Sequence, residues 1–140
     1  MDPGAPVANE CPFCRIVRRD SPAHIVYEDD RNLAFLDLFP YTRGHLLVVP
    51  KPHFVRLLDL PEAARGSYLS ALATVCQRVE RLSAHYNISF NQGALAGQVV
   101  FHLHAHVIPR YDGPNPFQVP RRERLQESVA AEVMEVLARR

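Results

Sequence analysis

The sequence predicts an α+β domain: a mostly antiparallel sheet of about five strands, a long helix and a C-terminal helix. Three observations carry this. Short apolar runs bounded by turn residues cluster before residue 50. One long stretch of three- and four-residue apolar spacing follows, and two more short strands come after it. Strands grouped in blocks, rather than alternating regularly with helices, mark an α+β layout.

Taken in order, residues 1–10 read as a loose, flexible leader, polar and containing Pro and Gly. A helix-compatible stretch, Phe13–Arg19, follows Cys11-Pro12. His24–Glu28 and Leu33–Leu38 are apolar runs around Asp29-Asp30-Arg31-Asn32, a hairpin signal. After the loop Phe39–Gly44, His45–Val49 is nearly all apolar and closes at Pro50, which predicts a buried strand. Asp59 and Glu62 resemble a capping box, with Pro61 near the first turn. Tyr68, Leu69, Leu72, Val75, Cys76, Val79 and Leu82 then form one apolar helix face, with an end expected near Ala84–Tyr86. Ile88-Ser89-Phe90 alternates like a strand, Asn91–Gly97 is a loop, and Val99–Ile108 is the last strand, stopped by Pro109. Asp112–Pro116 breaks the chain. A helix is expected from about Pro120, with Leu125, Val129, Val133, Val136 and Leu137 on one side.

At 140 residues the chain fits one domain and can bury a substantial core. Sixteen Lys+Arg against fifteen Asp+Glu leave a net charge of +1, so no basic field for a nucleic-acid backbone is implied. No apolar run reaches the ~20 residues of a membrane span. No signal-peptide pattern opens the chain, and three cysteines are too few for a disulfide scaffold, so a cytoplasmic location is expected.

Seven histidines are present, and three alternate with apolar residues in Phe101-His102-Leu103-His104-Ala105-His106-Val107-Ile108. In a strand this alternation sends Phe101, Leu103, Ala105 and Val107 to a core and the three histidines to the other face, about 6–7 Å apart. Burying imidazoles without partners costs free energy, so such a row points to a metal, catalysis or both. The spacing fits a metal held by all three, or a central nucleophilic imidazole with flanking helpers. The Gly-containing loop Asn91–Gln98 can bring N–H groups and amides to an anion, which favours a phosphate site. Cys11-Pro12-Phe13-Cys14 is C-x-x-C. Redox chemistry normally places this motif after a strand, and none precedes it here, so zinc is the stronger reading, with His53 and His102 as the further ligands. Cys76 belongs to the core.

His102–Ile108 resembles the signature of the histidine triad (HIT) superfamily. Supporting segments stand in that family's order: Cys11–Cys14, Val26–Asp29, Leu33–Asp37, Gly44–His53 and Gly97-Gln98. The resemblance spans residues 11–111 and leaves 112–140 as a C-terminal extension. It implies a homodimeric HIT-like fold and nucleotidyl hydrolysis or transfer at the α-phosphate of a nucleoside phosphate derivative, with a purine favoured because an apolar base pocket suits a wide ring. Carried over by position, His104 is the nucleophile, His106 assists the leaving group, and His102 and His45 support the site. Asn91, Gly97 and Gln98 would form the phosphate-binding loop, Asp37 the ribose contact, and Phe13, Ile16, Phe35 and Leu38 the base wall. A structural zinc would be held by Cys11, Cys14, His53 and His102. Hint and Fhit relatives usually carry a hydroxyl residue after the Gly-Gln pair, where this chain has Val99. That substitution motivates two other functions: a nucleotide-sensing or partner-binding protein with weak turnover, and a module whose triad itself holds metal.

Overall fold

A computed structural model describes residues 10–139, so the leader expected over 1–10 lies, apart from Glu10, outside the described residues. The elements are α1 (Pro12–Val17), β1 (Ile25–Glu28), β2 (Asn32–Leu36), β3 (Leu46–Pro50), α2 (Glu62–Val79), β4 (Tyr86–Ser89), β5 (Ala105–Pro109) and α3 (Glu127–Leu137). The five strands form one sheet in the order β1-β2-β3-β5-β4, with every neighbouring pair antiparallel. This is the α+β fold that the sequence predicts.

The two-residue period of the strands divides the sheet into two apolar faces. Ala34, Leu36, Leu46, Val48, Ala105 and Val107 pack against Tyr68, Leu72, Val75, Cys76 and Val79 of α2 and Ala130, Val133 and Leu137 of α3. Tyr68 also donates its hydroxyl to the Val48 carbonyl at 2.7 Å, tying α2 to β3. On the opposite face Leu33, Phe35, Leu47 and Val49 pack against Cys11, Phe13, Cys14 and Ile16 of the short α1. Register places Phe35, Leu47, His106 and Ser89 directly across from one another on four successive strands. His106 therefore stands on the α1 side, among apolar neighbours.

Several expected boundaries differ. The last strand begins at Ala105 rather than Val99, because the chain ahead of it pairs elsewhere: the Leu103 N–H donates to the Phe54 carbonyl at 2.6 Å. Phe101 is only partly buried, while Leu103, Ala105 and Val107 do enter the core. Asp59 does not cap α2. Its carboxylate accepts the Arg56 N–H and closes the tight turn Leu57–Asp59, and Pro61 occupies the N-cap. Helix α2 ends at Val79, earlier than Ala84, with Leu82 packing from the turn beyond. Leu69 is 65% exposed, because Tyr68 and Leu72 define the buried side. The C-terminal helix starts at Glu127 rather than Pro120, since residues 120–126 run as a strap whose Leu125 N–H donates to the Leu38 carbonyl at 2.7 Å.

Candidate functional site

The cysteine pair sits where its spacing predicts. Cys11 is the N-cap of α1, Pro12 takes the first helical position, and the Cys14 N–H points to Cys11 Sγ at 3.5 Å. Three residues apart on one turn, both sulfurs face the same side. His53, from the loop after β3, and His102 complete a group whose four ligand atoms all lie within 4.8 Å of one another. Sγ of Cys11 and Cys14 stand 3.4 and 3.5 Å from His102 Nδ1, and Cys14 Sγ is 3.3 Å from His53 Nδ1. A tetrahedral zinc, with bonds of about 2.3 Å to sulfur and about 2.0–2.1 Å to nitrogen, sets sulfur–nitrogen edges near about 3.5 Å. The four residues fit that ion. Nε2 of His102 donates to the Pro50 carbonyl at 2.7 Å, which leaves the Nδ1 lone pair for the metal. Burial and the neighbouring Cys11 push the Cys14 thiol up to about 12, so a cation beside it is what would favour its thiolate.

The other two triad histidines serve a different space. His104 and His106 line a cavity of about 970 Å³ on the α1 side of the sheet. The nitrogen nearest the His104 backbone, Nδ1, donates to the His102 carbonyl at 2.7 Å. That bond fixes the tautomer and leaves the lone pair on Nε2. Burial lowers the His104 pKa, which keeps the ring neutral. His102, His104 and His106 thus do not act as one metal site: His102 turns to the cysteines, and its two neighbours turn to the cavity.

His45, 1% exposed, lies beneath His106. Its Nδ1 accepts the Tyr41 N–H at 2.9 Å, so its proton sits on Nε2, 3.0 Å from His106 Nδ1. His106 Nδ1 is then an acceptor, and its own proton sits on Nε2. The turn that holds His45 is built locally. Asp37 N–H donates to the His45 carbonyl, His45 N–H to the Thr42 carbonyl, and the Thr42 hydroxyl to the Pro109 carbonyl at 2.6 Å. Burial, reinforced by nearby positive charge, lowers His45 to about 3 and His106 to about 4.

The structure brings most of the residues expected at a nucleotide to this one cavity. Phe13, Ile16, Phe35, Leu38 and Asp37 line the cavity, as do Asn91 and Gly97. Phe13 meets Phe35 and His104 edge-on at 5.3 and 5.2 Å between ring centroids. Burial raises the Asp37 pKa, against the pull of the Phe39 N–H on its carboxylate. Gln98 is not brought to the cavity. It is 3% exposed, its oxygen accepts the Gly93 N–H, and its amide donates to the Val55 and Val100 carbonyls. It braces the loop. Sequence reasoning missed Tyr41, Phe117 and Arg122, all of which line the cavity. Tyr41 sits in a recognised loop, but Phe117 and Arg122 follow a breaker segment whose return to the site has no local sequence signal.

Comparison with known proteins gives one consistent result. A family model described as HIT domain matches residues 18–113. An uncharacterized HIT-like protein of Methanocaldococcus jannaschii is 42% identical over 104 residues, 74% of this chain and 81% of that protein. An adenylylsulfatase of Arabidopsis thaliana is 39% identical over 73% of this chain and 53% of its own length. Among solved structures, a Zn-bound histidine triad family protein from Mycobacterium smegmatis superposes with TM-score 0.74 at 39% identity, covering 94% of this chain and 95% of the other. A hypothetical histidine triad nucleotide-binding protein from Sulfolobus tokodaii gives TM-score 0.82 at 31% identity, covering 91% and 89%.

Proposed function

Since the chain belongs to the HIT-domain family, we propose that it is a nucleotide hydrolase or transferase that works through a covalent nucleotidyl-histidine on His104. The observation that carries this is the Nδ1–H bond from His104 to the His102 carbonyl, which directs a neutral Nε2 lone pair to chemistry at the cavity. Nε2 attacks the α-phosphorus, an N–P bond forms, and the bond to the leaving group breaks with its electron pair on the leaving atom. His106 Nε2–H donates a hydrogen bond to that atom, oriented by His45. Water then attacks phosphorus and the N–P bond breaks. One water proton stays on the new P–OH and the other goes to the departed group or to solvent. Asp37 binds the ribose hydroxyls, Phe13, Ile16, Phe35 and Leu38 enclose a purine base, and the Asn91–Gly97 loop faces the phosphate.

Cys11, Cys14, His53 and His102 would hold a structural zinc. Through that ion they would rigidify the segment whose next residues present His104. A reducing compartment such as the cytoplasm keeps these thiols available. The chain acts as a homodimer. Supporting this, β4 is an edge strand, and Ile88, Leu69 and Val99 are 47%, 65% and 81% exposed. Light scattering that returned a monomer mass at micromolar concentration would remove the dimer.

The test of function is incubation with a labelled adenosine phosphoramidate and with a dinucleoside polyphosphate, a quench without acid, and peptide mass spectrometry. An adenylyl group on His104, absent from His104→Ala, is expected. The second reading, a nucleotide-sensing protein with weak turnover, is favoured by Val99, which puts an exposed apolar side chain on the cavity. It gains the lead if nucleotide binds by calorimetry and neither donor labels His104.

A further inference from the structure

The family match ends at residue 113, yet the chain beyond it returns to the cavity. The Leu125 N–H fastens the strap to Leu38, one residue from Asp37. Phe117 meets Tyr41 edge-on at 5.1 Å. The Arg122 guanidinium stands over the Tyr41 ring, 4.4 Å from its centroid, in a cation–π contact. Its Nη1 forms an ion pair with Asp37 Oδ2 at 3.7 Å, longer than a hydrogen bond. That nitrogen is shielded from solvent and has no hydrogen-bond partner among the described residues. A shielded cationic N–H without an acceptor is costly, and a ligand oxyanion is the group that matches it.

Arg122 and His106 line the same cavity. The positive charge of Arg122 also helps keep His45 and His106 uncharged. The cavity therefore offers a permanent guanidinium, ion-paired with Asp37 but with an Nη1 free to donate to a further oxyanion, beside uncharged imidazoles rather than an imidazolium able to protonate an amine. A group that leaves as an oxyanion needs charge there and no proton.

We propose that Arg122, delivered by the strap after the HIT domain, is a specificity residue that binds an oxyanion of the leaving group, so that the site prefers substrates releasing phosphate or sulfate over those releasing an amine. This rests on the nucleotidyl-transfer reading. As the bond from the α-phosphorus to the leaving oxygen breaks, its electron pair remains on that oxygen, and the guanidinium pairs with the resulting anion.

The test measures AMP and α,β-methylene-ADP binding by calorimetry for wild type, Arg122→Gln and Arg122→Lys. It also measures kcat/KM for ADP, adenylyl sulfate and an adenosine phosphoramidate. Wild type should bind α,β-methylene-ADP at least about tenfold tighter than AMP. Arg122→Gln should erase that ratio while AMP still binds, and Arg122→Lys should keep part of it. Arg122→Gln should lower kcat/KM about tenfold or more for ADP or adenylyl sulfate, and less than about threefold for the phosphoramidate. Which of the two anionic substrates responds identifies the oxyanion as phosphate or sulfate. An unchanged ratio in Arg122→Gln, or equal losses for both ligands and all substrates, overturns the role of Arg122 alone. Failure of wild type to bind either nucleotide overturns the nucleotide reading and this proposal with it.

Discussion

Nε2 of His45 lies 3.0 Å from Nδ1 of His106, and a backbone N–H occupies the other nitrogen of His45. The pair therefore has one consistent arrangement of protons, ending in an N–H at His106 Nε2. His45 is a positioning residue: it sets the tautomer of a neighbour that lines the cavity. In His45→Leu the volume is roughly kept but the donor to His106 is lost. Single-turnover cleavage should slow about 10–100-fold, by analogy with the loss when the hydrogen-bond partner that orients a metal-ligating histidine is removed, while AMP affinity stays within about threefold. Equal losses in rate and affinity would instead mean that the pocket had collapsed.

Acid should destabilise the protein over a defined window. His45 and His106 have folded pKa values lowered to about 3 and about 4, from an ordinary value of 6.5. Between pH 6.5 and about 4 the unfolded chain binds more protons at these two positions than the folded one. Their contribution to stability is full above about 6.5 and is lost as pH falls toward the folded values. Melting temperature measured from pH 7.5 to 4.5, in zinc-saturated buffer, should fall less steeply for His106→Asn than for wild type. Parallel slopes would show that His106 does not carry this dependence.

The sheet, both major helices and the triad were legible because each rests on local chemistry. Periodicity marked β2, β3 and the buried side of α2, and Cys11 and Cys14 showed their shared turn through spacing alone. What was not legible depends on long-range partners. Leu103 leaves the strand ladder because Phe54 supplies its acceptor, and Asp59 turns back to Arg56 instead of capping α2. Gln98, a residue type suited to binding phosphate, is occupied by three backbone groups of its own surroundings. Arg122 is brought to the site by long-range contacts, among them the tie of Leu125 to Leu38, a pairing 87 positions apart that no window of sequence contains.

Zinc should separate the metal group from the cavity histidines. The protein purified with zinc should hold about one ion per chain by elemental analysis. Cys14→Ser should lose it and melt at lower temperature, because structural zinc contributes directly to folding. His104→Ala should keep the ion, since His104 bonds to the His102 carbonyl and not to the metal group. Two ions per chain in wild type, with one lost in His104→Ala, would move the triad itself into the metal site.

Two glycines predict opposite outcomes for the same substitution. Gly44 has φ +89°, a conformation L side chains rarely adopt, and a Cβ there would collide with Leu82 Cδ1 and stand 3.3 Å from Pro109 Cγ. Gly44→Ala should cost about 1–3 kcal/mol from backbone strain and the shift of Leu82. Because Gly44 directly precedes His45, turnover should fall as well. Gly66 lies inside α2, and a Cβ there meets nothing within 4 Å. Gly66→Ala should stabilise by about 0.4–1 kcal/mol through helix propensity and a less free unfolded chain, with kcat unchanged. Urea titrations of both variants check the pair. A neutral Gly44→Ala would mean that the turn carrying His45 relaxes without cost, and the positioning role of that turn would have to be abandoned.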